Sequence, residues 1–330
     1  MIERRGDGRA DAKRRERLSH HVLAMDGGNN IGVSIAGAGV PLVFFHGFAM
    51  NNRGYQRCLS YLPDLGFLAV AIDAPGHGGT SPVARTADFA SRVEVLARAI
   101  DRLGIRRAVF AGHSMGGRSA ARLVAAAPER ALGLVLIDAA VGEGWDRMAA
   151  TRTGKLRTTA EGLRDGLADW RLEGRGLTAH ERRRYRSSTV GRYGMDLRKA
   201  SSFPALARAI ATPESETWLR TIHAMHVPSV VVNGERDRVV TASDALQCAR
   251  TLDAHLVQLP YSYHNWLIAR PQSFADVMAE VFAPSGCLGS VRTADLRDCY
   301  DEDAFALRLS GSTLRTATQR HPNDEATGVA

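Results

Sequence analysis

Between residues 22 and 283 the chain carries a rhythm of short apolar, β-branched runs: Ile31–Ile35, Leu42–His46, Phe67–Asp73, Ala108–Gly112, Leu134–Asp138, Ser229–Asn233 and His255–Leu259. Runs this short, bounded by Gly, Pro, Asp and Asn, predict strands; the stretches between them carry helical patterns such as Arg118–Ala127. Strands that are apolar on both faces belong in a mostly parallel sheet covered by helices on both sides. Most runs end at or near a residue with chemical potential: His46, Asp73, Ser114, Asp138, Asp237 and His264. In open α/β sheets, sites form outside the carboxyl ends of the strands, so the pattern already locates a site.

The rhythm stops after Asp138 and resumes at Val227. Helical patterns at Leu163–Leu172, Thr178–Ser187 and Phe203–Ile210 fill the gap. They predict a helical cap over residues 143–222, dividing the core into residues 22–142 and 223–283. Residues 1–21 are dense in charge and poor in apolar groups, which predicts a basic disordered tail. Residues 284–330 show weak helical patterning only near Asp303–Leu309 and read as a poorly ordered C-terminal tail.

Composition narrows the partners. With 330 residues, 45% of them hydrophobic, the chain can bury one large core. The net charge of +8 comes mainly from arginines in the first twenty residues and around 150–220; the lysines are only Lys13, Lys155 and Lys199. No aromatic-basic interleaving or nucleic-acid motif accompanies that charge, so a solvated basic surface is expected and nucleic acid is not. Cys58, Cys248, Cys287 and Cys299 lack C-x-x-C or metal-ligand spacing, which predicts reduced structural thiols and no metal. No run of eighteen apolar residues and no signal-type apolar segment occurs, so no integral membrane segment and a cytoplasmic location are expected.

The most specific chemistry lies in Gly112-His113-Ser114-Met115-Gly116-Gly117, a G-x-S-x-G string at a predicted strand-to-helix junction. A nucleophilic serine on so sharp a turn needs Gly112 and Gly116, because side chains there would collide. Serine is a weak nucleophile and requires a base, itself oriented by a carboxylate. The runs Ser229–Asn233 and His255–Leu259 lead to Asp237 and His264, where acid and base are expected; Asp138 is the rival acid, while Glu235 and Asp244 read as turn and cap residues. A developing oxyanion needs donors: the backbone N–H of Met115, and that of Phe48 in a turn permitted by Gly47. His46 and the Asp73–Ser81 loop read as structural, and His113 as a packing position. Trp145 and Trp266 are candidate pocket walls.

His46-Gly47, Asp73-x-Pro75-Gly76-His77-Gly78, the serine elbow, Gly234-x-x-Asp237 and His264 occur in an order that resembles the α/β-hydrolase family over about residues 22–283. The resemblance implies an α/β-hydrolase fold: an eight-stranded, mostly parallel sheet with a cap inserted after the sixth strand. It also implies the triad and oxyanion assignments, with no cofactor. One departure is Tyr263, where members often have Gly before the histidine. The expected activity is cleavage of a small-molecule carboxylic ester with an apolar acyl group, as in carboxylesterases and lipases. Alternatives on the same core are hydrolysis of carbon–carbon bonds in aromatic ring-fission products and cofactor-free perhydrolase or haloperoxidase chemistry. The intact Ser, Asp, His order disfavours a non-catalytic receptor, and Ser114 disfavours relatives that use Asp there.

Overall fold

A computed structural model describes residues 18–150, 152–196, 203–310 and 313–314. Eight strands run β1 (Ser19–Ala24), β2 (Asn30–Ala36), β3 (Val40–Phe45), β4 (Phe67–Ile72), β5 (Ala108–His113), β6 (Ala131–Ile137), β7 (Ser229–Gly234) and β8 (His255–Leu259), with a two-residue β9 (Thr313–Leu314) at one edge. The order across the sheet is β8-β7-β6-β5-β3-β4-β2-β1-β9. Strands β3 to β8 are parallel, and β1, β2 and β9 join antiparallel.

All seven apolar runs become strands. The pattern misses the two-residue β9 and also β1, whose sequence Ser-His-His-Val-Leu-Ala lies half-buried near the sheet edge and needs no apolar run. It pairs with β2 and begins inside the stretch expected to be a tail; residues 1–17 lie outside the described residues.

The central strands are apolar throughout because both faces are covered. Ala108 and Phe110 of β5 pack into one core, while Val109 and Ala111 pack into the other. On the first face lie α1 (Phe89–Leu103) and α2 (Met115–Ala126). The α1 helix starts where the Asp88 carboxylate accepts the Ser91 N–H and stops at Gly104, whose φ of 75° lets the chain turn away.

Among the described residues, five helices lie between β6 and β7: α3 (Glu143–Ala149), α4 (Arg152–Arg175), α5 (Ala179–Asp196), α6 (Phe203–Ile210) and α7 (Ser215–Ala224). The last departs from the expected cap, for α7 buries Trp218, Leu219 and Ile222 in the first core and packs against α2 and α8 (Ala242–Leu252). It is a crossover helix of the sandwich. The insertion's stems are stitched to α2 by the buried Arg118, which donates to the carbonyls of Ala140 and Thr212 and lies 3.8 Å from Asp146. Asp146 in turn accepts from Ser215 Oγ and Glu216 N.

The second face is covered by α9 (Trp266–Ala269) and α10 (Pro271–Val281). Residues 284–310 correct the expectation of a poorly ordered tail. Leu288 and Val291 are buried in the second core, whereas α11 (Leu296–Cys299) and α12 (Glu302–Ser310) bury Cys299, Tyr300 and Phe305 in the first, with the Cys299 carbonyl accepting from Arg106 N and Arg107 N. Sparse apolar residues misled the reading, because most of the large ones are buried although Leu307 is exposed. Residues 315–330 lie outside the described residues. No helix among the described residues is long and apolar enough to cross a membrane.

Candidate active site

The site is built where β5, β7 and β8 end. Ser114 follows β5 and precedes α2 with φ 55° and ψ −119°, a strained conformation for a residue with a side chain. It is held by main-chain bonds: its N–H donates to the Ile137 carbonyl, and its own carbonyl accepts from Arg118 N and Ala140 N. A Cβ at Gly112 would stand 2.2 Å from the Gly116 carbonyl oxygen, and one at Gly116 would stand 2.0 Å from that of Phe45. The turn therefore exists only with glycine at both positions. Serine at a helix N-terminus commonly caps the backbone, but Ser114 makes no side-chain cap bond, leaving Oγ for other chemistry.

That oxygen lies 3.0 Å from His264 Nε2, and His264 Nδ1 lies 2.7 Å from Asp237 Oδ2. A carboxylate only accepts, so Nδ1 carries the proton and Nε2 is left to accept from the serine. Asp237 is fixed in turn, its Oδ1 accepting the N–H groups of Val239 and Val240.

The rival acid has other work. Asp138 Oδ1 accepts from Asn233 Nδ2 and Gly234 N, and its Oδ2 accepts from Trp266 Nε1. Asp138 therefore supports the loop that carries Asp237, and Asp237 is the carboxylate brought to His264. Trp266 corrects the pocket expectation: it is fully buried in the second core, an anchor for Asp138 and not a wall. Trp145, half-buried against the first core, donates to the Ile210 carbonyl and joins two helices of the insertion. Glu235 accepts from Tyr261 N, and Asp244 completes a capping box with Thr241 on α8.

His46, His113 and His264 are all buried, and their electrostatics differ. Burial pushes His46 down to about 4 despite its bond to the Gly47 carbonyl. Burial, then repulsion from His264, pushes His113 well below the ordinary imidazole value. For His264 burial acts the same way, but the charge and hydrogen bond of Asp237, aided by the charge of Asp169, outweigh it and the value rises. Of the three, His264 alone is equipped to take a proton.

His46 supports the neighbouring loop, its Nε2 accepting from Ala74 N and its Nδ1–H donating to Gly47 O. His113 does more than pack. Its Nε2–H donates to the His264 carbonyl at 2.8 Å, and its Nδ1 accepts from the Tyr55 hydroxyl at 2.7 Å. Tyr55 in turn accepts from Gly47 N at 3.0 Å. One buried relay thus ties the loop holding Phe48 to the loop holding His264. Tyr55 carried no signal in the sequence beyond an aromatic residue in a turn-rich stretch.

Gly47 has a role different from the one expected. A Cβ there would stand 3.0 Å from both the Tyr55 hydroxyl and His113 Nδ1, so glycine permits close approach; the positive φ in this turn falls at Ala49, at 57°. Met115 begins α2, and N–H groups in a first helical turn have no partner within the helix and lie at its positive end. Phe48, the other expected donor, lies in the turn that follows β3 and is partly buried against the first core.

A family model described as the alpha/beta hydrolase family matches residues 42–277. The chain belongs to this family. It is similar to a non-heme haloperoxidase-like protein of Mycobacterium phage D29, 32% identical over 279 residues that cover 79% of this chain and 94% of the relative. Among solved structures it resembles a hydrolase from Pseudomonas aeruginosa, with a TM-score of 0.63 and 23% identity, covering 80% of this chain and 98% of that one. A thermophilic esterase from Thermogutta terrifontis gives a TM-score of 0.61 at 21% identity, covering 80% and 97%. These two likenesses establish the shared fold.

Proposed function

We propose that this alpha/beta hydrolase is a serine esterase acting on small carboxylic esters with an apolar acyl group. The observation that carries the reading is the continuous chain from Ser114 Oγ through His264 to Asp237, at 3.0 and 2.7 Å, on an elbow that leaves Oγ unspent. Ser114 Oγ attacks the ester carbonyl carbon as its proton passes to His264 Nε2. The oxyanion that forms accepts from Met115 N–H and Phe48 N–H. Collapse expels the alkoxide, which leaves as the alcohol with the proton from His264. Water then gives a proton to His264 and attacks the acyl-enzyme, releasing the acid and restoring Ser114.

A fluorophosphonate probe should label the wild-type protein at Ser114, and Ser114→Ala should lose both labelling and turnover of p-nitrophenyl esters. Folded wild-type protein that neither labels nor turns over any ester of an acyl-length series would refute the reading.

A second reading draws on the phage relative and its name. If hydrogen peroxide replaces water in the deacylation step, the acyl-enzyme yields a peracid, which oxidises bromide. Bromination of monochlorodimedone that requires both peroxide and a carboxylic acid, and that disappears in Ser114→Ala, would favour it.

A further inference from the structure

Two carboxylates outside the triad stand where the insertion meets it. Asp169 and Glu173 lie four residues apart on α4, hence on one face, and the side chains of both are closed to solvent. Buried acids are rare unless paired, and burying them needs compensation. The compensation comes from the loops that carry Asp237 and His264. Asp169 Oδ2 accepts the N–H of Arg238, the residue after Asp237, at 3.0 Å. Glu173 Oε2 accepts the N–H of Tyr263, the residue before His264, at 2.8 Å, while its Oε1 lies 2.8 Å from Arg270 Nη1. Arg270 itself stands just past α9, so Glu173 holds the chain on both sides of His264.

We propose, on the reading that Asp237 and His264 are the acid and base of a hydrolase, that Asp169 and Glu173 are positioning residues through which α4 holds both loops in catalytic register. Neither touches the reacting atoms. Each fixes the backbone one residue from a triad member, so displacing α4 would move the Asp237 carboxylate and the His264 ring relative to Ser114. The contact is also electrostatic: Asp169 and Asp237 bring their negative charge to His264, while Arg238 lies 3.7 Å from Asp169 and Arg270 pairs with Glu173. Burial raises the Glu173 carboxyl to about 7 against the pull of Arg270 and the Tyr263 N–H. The charge of Asp169 favours the imidazolium of His264.

The test compares Asp169→Ala, Asp169→Asn, Glu173→Ala and Glu173→Gln, with Asp165→Asn as a control on the same helix, where Asp165 pairs with Arg164. Slight misplacement of reacting groups costs about ten- to a hundredfold, so the alanine variants should lose about tenfold or more in kcat on p-nitrophenyl acetate with KM little changed. The isosteric amides should recover part of that loss. Asp169→Asn should also move the acidic limb of the kcat/KM profile to lower pH, because a charge that favours imidazolium is gone. Kinetics and pH limb unchanged from wild type in all four variants would overturn the proposal. So would amide variants that fail to fold or that lose kcat only in step with thermal stability, because the carboxylates would then be structural struts. The NMR titration of the His264 ring in wild type and Asp169→Asn requires no turnover. A wild-type protein that turns over no ester while this titration still shifts downward in Asp169→Asn would refute the esterase reading and leave the Asp169–His264 coupling standing.

Discussion

Replacing the two strand-end acids separately gives the sharpest test of the site. In Asp237→Asn the amide oxygen can keep the Val239 and Val240 N–H bonds at 2.7 and 2.9 Å, which leaves the amide NH2 facing His264 Nδ1. Nδ1 must then accept, the ring proton moves to Nε2, and the nitrogen 3.0 Å from Ser114 Oγ can no longer take the serine proton. A wrong-tautomer triad loses about 10⁴-fold in rate, which is about 5 kcal/mol of barrier, while folding stability changes little. Asp138→Asn behaves in the opposite way. Burial, then the charge of Asp237, pushes the Asp138 carboxyl well above its ordinary value, so the amide replaces a group already inclined to neutrality. The loss falls on Trp266 Nε1, whose acceptor at 2.8 Å becomes an NH2 group. An orphaned buried donor costs about 1–3 kcal/mol of stability, with kcat/KM held within about threefold because no transition-state contact is touched. Initial rates on p-nitrophenyl acetate and urea unfolding measure both quantities. A large rate loss in Asp138→Asn, with Asp237→Asn nearly as active as wild type, would transfer the acid's role and refute the assignment.

Four further outcomes follow from the same geometry. Gly116→Ala places a methyl 2.0 Å from the Phe45 carbonyl oxygen and 2.7 Å from that of His46, so Tm and soluble yield should fall sharply; an unchanged Tm would show that the elbow has slack. Tyr55→Phe removes the hydroxyl shared by Gly47 N and His113 Nδ1, leaving two buried groups unpaired at about 1–3 kcal/mol each; chemical denaturation should register the loss and kcat should fall more than KM rises. The His264 imidazole is held above its ordinary value of 6.5 and must be neutral to act, so the acidic limb of kcat/KM should lie above pH 6.5. By linkage, the stabilisation from its pairing with Asp237 is fully present below 6.5 and is lost as pH rises through the folded value, a difference in Tm between pH 6 and 9 that His264→Gln should diminish.

How far the sequence can be read depends on how local each feature is. Strands β3 to β7 announce themselves because being covered on both faces demands nearly unbroken apolar runs, and the elbow because its two glycines stand within five residues of each other. Asp138 and Asp237 look alike in the sequence, since both follow strands; only the fold sends one to His264 and the other to Trp266, 128 residues further on. Trp266 looks like a pocket wall because it stands two residues from the base, yet α9 turns it inward to meet Asp138. Tyr55 and His113 are joined across 58 residues, and no local pattern marks either. Asp169 and Glu173 are subtler still. On a strongly charged helix they read as part of a solvated face, and their one distinguishing mark is an acid pair at i and i+4 flanking Trp170, on a face that turns inward. What hides all of these is the same physics: a buried polar side chain is defined by the partner that satisfies it, and that partner lies in another element of the fold. Ser114 and His264 stand out in the sequence because the chemistry proposed for them demands fixed neighbours, whereas the groups that hold them in place need only any donor or acceptor that the fold brings within reach.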